Sequence, residues 1–285
     1  MSLLEHHDTH GTVESLVREA DIEVIPLRGV DEKLTVVPAG TTLTITCSAK
    51  FGLERTLAYA ALAVKAGYRV VPHLAARQVA DVAALRDFTG RLDDLGVTRL
   101  YAVGGDAPEP VGAYRSAAEL LEDLASIHHG MTTIGVACYP EGHPAISDAS
   151  LLEALQRKQP FASYMVSQLC FDHRAITGWL RKVRAAGIAL PLHVGLAAPL
   201  KTRKLVELSL RIGVGSSIRY LTKQHGFVGN VLRGRSYAPE QLLYQIGDDL
   251  SSDELAMERL HLFSFNQIAP TVDWQARITG PATRT

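Results

Sequence analysis

Six short segments each join an apolar run to a residue able to do acid–base, hydrogen-bonding or ring-contact chemistry. In chain order they are IEVIP with Glu23, PHL with His73, GGDAP with Asp106, CYPEGHP with Tyr139 and His143, SQLCFD with Gln168, and HLFSFN with His261. A carboxylate inside an apolar strand is costly unless it is paired or used. A buried carboxyl group holds its proton more tightly than an exposed one, which suits a general acid. Glu23 therefore reads as an acid or as a paired carboxylate bracing the fold. Gln168 offers a donor and an acceptor together. His73 fits either a hydrogen-bonded strand cap or a ligand contact. The GGD around Asp106 fits a plain turn as well as a site.

Each segment closes a strand-like stretch, and the spacing is roughly regular. The β-branched runs place strands at 22–26, 42–47, 69–73, 99–103, 132–138, 163–168, 191–195 and 261–265. Most are apolar on both faces, as in a parallel sheet covered on both sides. Between them, apolar residues at helical spacing predict helices over 54–66, 78–95, 116–126, 149–158 and 173–186. Gly67, Gly96 and Gly187 stand where helix C-termini need them. This βα alternation gives a barrel or a doubly wound sheet. Eight strands favour a single (β/α)₈ barrel, a fold that works at its strand C-termini. No GxGxxG follows a strand and opens a helix, which counts against a dinucleotide fold of the doubly wound kind. Further helices are expected before the last strand, over 202–212, 216–225, 239–247 and 252–259. Residues 1–18 read as a flexible tail and 19–285 as one catalytic domain.

Composition narrows the classes. The chain has 285 residues, 47% of them apolar, and a net charge of −1. That balance gives no general attraction to nucleic acid or to acidic membranes. No apolar run approaches the length of a membrane span, and the acidic N-terminal segment does not resemble a signal peptide. Cys47, Cys138 and Cys170 lack CxxC or finger spacing and read as buried thiols in a reducing, cytoplasmic setting. No histidine pair has metal-site spacing, so no metal is expected.

The ordered motifs resemble the methylenetetrahydrofolate reductases, flavin-dependent barrel enzymes of one-carbon metabolism. The resemblance runs from about Ile22 to about Asn266 and is most specific in CYPEGHP followed by SQLCFD. PHL, HLFSFN and GIALPLHVGLAAPL support it. It implies reduction of 5,10-methylenetetrahydrofolate to 5-methyltetrahydrofolate with NADH or NADPH, or the reverse oxidation. By the same resemblance, Glu23 and Asp106 are catalytic: Glu23 protonates the folate, and Asp106 lies by the pterin and modulates the flavin. Gln168 pairs with the pterin edge. Thr46, His73, Asp106, Tyr139, His143, Arg157 and Lys158 hold FAD. The hydride passes from nicotinamide to flavin and then to folate, in ping-pong order. His261 shapes the barrel interior. The chain departs from the pattern at Gly104, where the family has Arg, and at Leu151 and Ala154, near its Asp and Asn. Those departures motivate a flavin-free reductase as the alternative. A non-catalytic folate-binding subunit is a further one, as is an unrelated phosphate-binding barrel, which would want a lysine at a strand end. Homo-oligomer formation stays open.

Overall fold

A computed structural model of the chain describes residues 13–211, 236–237, 239–250 and 252–280. Eight parallel strands close into a barrel. They are β1 (Asp21–Val24), β2 (Thr42–Ile45), β3 (Arg69–Ala75), β4 (Arg99–Val103), β5 (Thr133–Cys138), β6 (Tyr164–Ser167), β7 (Leu192–Ala197) and β10 (Met257–Phe263). Neighbours follow chain order, and β10 closes the ring between β7 and β1. The seam pairs Asp21 with His261 and Glu23 with Phe263.

The helices form the outer layer. A helix over 13–18 (α1) precedes the barrel. It is followed by α2 (Val30–Leu34), α3 (Gly52–Lys65), α4 (Val82–Asp94), α5 (Ala117–Leu124), α6 (Asp148–Lys158), α7 (His173–Ala185), α8 (Thr202–Arg211), α9 (Glu240–Leu250) and α10 (Ile268–Thr279). Local sequence explains their ends. Asp81 and Ser147 accept backbone N–H bonds at the starts of α4 and α6, and Ser116 with Glu119 forms a full capping box on α5. Gly67, Gly96 and Gly187 all take positive φ just past a helix, where other residues would be strained.

Alternation along each strand divides the interior in two. Ile22, Leu43, Ile45, Leu74, Leu100, Val136, Met165, Val194, Leu260 and Leu262 face outward and pack under the helices in the main core. Val71, Tyr101, Tyr164 and Val166 fill the lumen. Gly135 makes room there, since a Cβ would lie 2.5 Å from the Tyr164 ring. A third cluster, Leu169, Phe171, Ala197, Leu200 and Leu205, builds an apolar wall beside the mouth with Tyr237, Phe263 and Phe265.

Three expectations are corrected. The flexible tail does not extend to residue 18: 13–18 is helical, with Val13 and Val17 buried against the barrel. The helix expected over 252–259 is instead a turn running into a strand. Ala256 takes φ 46 and Met257 then pairs with Leu192 of β7, so tertiary pairing overrides the helix-forming composition of SSDELAMER. The last strand accordingly begins at Met257, not at His261. The extra segment before it contains α8, α9 and an antiparallel pair, β8 (Leu200–Lys201) with β9 (Ser236–Tyr237). Lys201 ends β8, but it is exposed and outside the barrel. The helix expected over 216–225 lies outside the described residues. Among the described residues, no helix is long and apolar enough to cross a membrane, and all three cysteines are free thiols.

Candidate active site

Because all eight strands run parallel, their C-terminal ends and following loops gather at one mouth. Glu23, near the end of β1, points into the lumen with a side chain 12% exposed. Its Oε2 lies 3.2 Å from His261 Nε2 and 3.8 Å from His73 Nε2. Oε1 makes no hydrogen bond among the described residues. His73 is set edge-on against Tyr101, with ring centroids 4.6 Å apart. Phe263 sits edge-on to His261 at 4.9 Å. Thus one carboxyl group meets two imidazoles inside a box of aromatic rings.

Burial governs the electrostatics of this box. It brings the His73 imidazole down to about 4, with the Glu23 charge opposing and His261 adding to the shift. His73 is therefore neutral near pH 7. Burial also pushes the Tyr101 phenol well up, so it stays protonated. His73 Nε2 and Thr44 Oγ1 are buried without a hydrogen-bond partner among the described residues. Thr44 is the register neighbour of Glu23 on β2.

The HLFSFN segment laces the last strand to the first. Ser264 Oγ donates to the Glu23 carbonyl. Asn266 Nδ2 donates to the Ile25 carbonyl at 2.9 Å, and its Oδ1 accepts from Ile25 N–H at 2.8 Å. Asn266 does this from φ 59, a left-handed conformation that asparagine tolerates.

The other predicted residues fall at the same mouth with different degrees of engagement. Thr46 follows β2, and its carbonyl accepts from Thr56 Oγ1. Tyr139 and His143 lie on the turn after β5, edge to face with centroids 5.2 Å apart. Gln168 follows β6; its Oε1 accepts from Leu169 N–H at 2.8 Å, which leaves its amide N–H₂ as the open function. Asp106 is exposed on the loop after β4.

Two residues that carry no signal in the sequence hold these loops. Arg77 Nε and Nη2 donate to the Ala107 and Pro108 carbonyls at 2.7 and 2.6 Å, and its backbone N–H donates to Gly104. The Asp106 loop is thereby clasped to the end of β3. Glu141 Oε1 accepts from Phe171 and Asp172 N–H, tying the Tyr139–His143 turn to the segment after Gln168.

Arg157 and Lys158 do not join the cluster. Arg157 Nη2 is 2.8 Å from Glu122 Oε1 of α5, in the outer helix layer. Lys158 is buried, and its Nζ donates to the Ala137 carbonyl of β5 at 2.8 Å. Burial brings that amine down to about 8.

A sequence profile described as methylenetetrahydrofolate reductase matches residues 30–211. The match contains every predicted site residue except Glu23 and His261. Among curated proteins, the chain is similar to methylenetetrahydrofolate reductase 2 of Saccharomyces cerevisiae. The two are 30% identical over 112 residues, 35% of this chain and 19% of that protein. It is also similar to methylenetetrahydrofolate reductase 1 of Schizosaccharomyces pombe, 29% identical over 114 residues, 37% of this chain and 19% of that protein. The aligned stretch thus spans about a fifth of each relative's length. Among solved structures, tryptophan synthase from M. tuberculosis in an aminoacrylate-bound form aligns at a TM-score of 0.41 and 15% identity, covering 73% of this chain and 86% of that one. With the family profile matching more than half of its length, the chain belongs to the methylenetetrahydrofolate reductase family.

Proposed function

We propose that the barrel reduces 5,10-methylenetetrahydrofolate to 5-methyltetrahydrofolate with a reduced nicotinamide nucleotide. The observation that carries this reading is the Glu23 carboxyl group, set at the mouth end of the lumen with one oxygen against two imidazoles and the other without a hydrogen bond among the described residues. In the reaction Glu23 gives its proton to N10 of the folate. The bond from N10 to the bridging methylene breaks, leaving an iminium at N5. Hydride from the dihydronicotinamide adds to that methylene carbon and makes the methyl group. One proton and one hydride account for the two hydrogens gained. Gln168 presents its free amide N–H₂ to the pterin edge, and Asp106 presents an exposed carboxylate to its amino group. The same groups serve the reverse oxidation.

The resemblance to the family implies FAD, and among the described residues the cations it assigns to the flavin do not fit a diphosphate. Such a group needs cations to neutralise it. Arg157 is turned to Glu122, Lys158 is buried on the Ala137 carbonyl, Arg77 is committed to the Asp106 loop, and residue 104 is glycine. Direct transfer from nicotinamide to folate is therefore the reading we favour, and it puts both substrates at the mouth together. Flavin-mediated transfer is the second reading, supported by the Tyr139–His143 ring pair at the mouth.

The test is to mix the purified chain with methylenetetrahydrofolate and NADH or NADPH and to follow nicotinamide absorbance and methyltetrahydrofolate formation. Turnover is expected from a colourless protein; a yellow protein that releases a flavin on denaturation would select the second reading. Glu23→Gln should keep the fold and lose roughly 10²–10⁴-fold in kcat, the usual contribution of a general acid. Folate binding without turnover in the wild-type protein would leave a non-catalytic folate-binding role.

A further inference from the structure

We infer that His261 is a positioning residue for Glu23: its Nε2–H holds the carboxyl atom Oε2, so that the transferable proton is carried on Oε1. This rests on the reading of Glu23 as the acid.

Both imidazoles approach the same oxygen, but not equally. His261 Nε2 is within hydrogen-bond distance at 3.2 Å, whereas His73 Nε2 at 3.8 Å is not. His261 is also the more confined ring. It is 1% exposed and flanked by Phe263 at 4.9 Å, Tyr101 at 6.1 Å and His73 at 6.4 Å. A buried ring held on three sides fixes the direction of its N–H.

The chemistry follows from one hydrogen atom per contact. A carboxylate is acceptor-only, so facing Oε2 selects the tautomer of His261 with its proton on Nε2. When Glu23 takes up a proton, Oε2 already accepts that N–H, and the new proton goes to Oε1. Without His261, the proton divides between the two oxygens and the carboxyl rotates. The titratable groups facing Glu23 across the lumen are His73 on β3, Tyr101 on β4 and His261 on β10; β2 contributes the uncharged Thr44. His73 Nε2, 3.8 Å from Oε2, is beyond hydrogen-bond distance, so it does not substitute for the His261 donor.

Two measurements on the full chain test this. The first needs no turnover: ring nitrogen shifts in protein labelled with ¹⁵N-histidine. His261 should appear as the Nε2–H tautomer, and Glu23→Leu should convert it to a mixture or to the Nδ1–H form. An Nδ1–H tautomer in the wild-type protein, or a tautomer indifferent to Glu23→Leu, overturns the inference. The second is kinetic. His261→Leu should lower kcat roughly 10–100-fold, with KM for folate changed less than about twofold, because binding is untouched and only acid delivery suffers. His261→Gln keeps a donor and should recover most of that loss. Equal losses in the two variants, or a loss expressed in KM, would make His261 a packing residue and refute the assignment. If the wild-type protein does not reduce methylenetetrahydrofolate at all, the reductase reading falls, and the tautomer alone decides whether His261 holds Oε2. Should His261→Leu fail to fold, the wild-type tautomer and His261→Gln still decide it.

Discussion

Acid should unfold this barrel from within, and His73 should account for a measurable share. Its imidazole is 6% exposed, and burial takes it from the usual 6.5 to about 4. A group whose pKa is lower in the folded than in the unfolded chain makes the unfolded chain bind more protons between the two values. The contribution of neutral His73 to stability is then fully present above about pH 6.5, falls as pH drops below that, and is gone by about pH 4. That difference amounts to about 3 kcal/mol in all, of which about 2 kcal/mol goes between pH 7 and pH 5. His193 adds to the same trend. Burial lowers its pKa as well, with Asp21, 3.7 Å away, opposing.

The assay is urea unfolding at several pH values between 5 and 8, for the wild-type protein and for His73→Leu. The wild-type curve should lose about 2 kcal/mol more than the variant over that range. The difference between the two slopes isolates His73, since His193 is present in both. Parallel curves would refute the reasoning. They would mean that His73 meets water or a partner that lets it charge in place.

Two other substitutions probe how the site is held. Asn266→Ala removes both side-chain bonds to Ile25 and leaves its N–H unpaired, while its carbonyl keeps the Leu27 N–H at 2.7 Å; thermal unfolding should report a loss of about 2 kcal/mol, and a change within error would show that the lacing is idle. Gly195→Ala should be worse tolerated than its size suggests, because the new Cβ would lie 2.3 Å from the Ser167 carbonyl oxygen and 2.7 Å from the Phe263 ring; a cost of about 2–3 kcal/mol is expected in denaturant unfolding, and a neutral variant would contradict the close approach of β6 and β7.

The barrel was legible in the sequence because its strands are short, β-branched and apolar on both faces, and because glycines mark the helix ends. Glu23 was legible for the same reason, as a charge within an apolar run. What escaped was set by partners distant in the chain. SSDELAMER carries helix-forming residues, yet it turns at Ala256 and enters β10, where period-two alternation of Arg259, His261 and Phe263 against Leu260 and Leu262 decides the outcome. Arg77 and Glu141 look like ordinary loop charges; only the fold shows that their side chains clasp backbone 30 residues on. Arg157 and Lys158, adjacent at the end of α6, part company because one faces the helix layer and the other the sheet.

His261 is the residue where sequence and structure combine most usefully. From its motif it is a lumen-shaping side chain on the last strand, with nothing to connect it to the first. The closed ring connects them. β10 hydrogen-bonds to β1, so a carboxyl near the start of the chain and an imidazole near its end, 238 residues apart, meet at 3.2 Å. Ser264 and Asn266, a few residues on, fasten the same seam at Glu23 and Ile25. Glu23 and His261 therefore come together only once the barrel has closed, and the bonds across the β1–β10 seam serve both stability and the placement of Glu23. A variant that loosens the seam without touching either residue, as Asn266→Ala does, should lower kcat in the folded protein in addition to its stability. Outer-layer changes of equal cost, far from the seam, should lower stability alone.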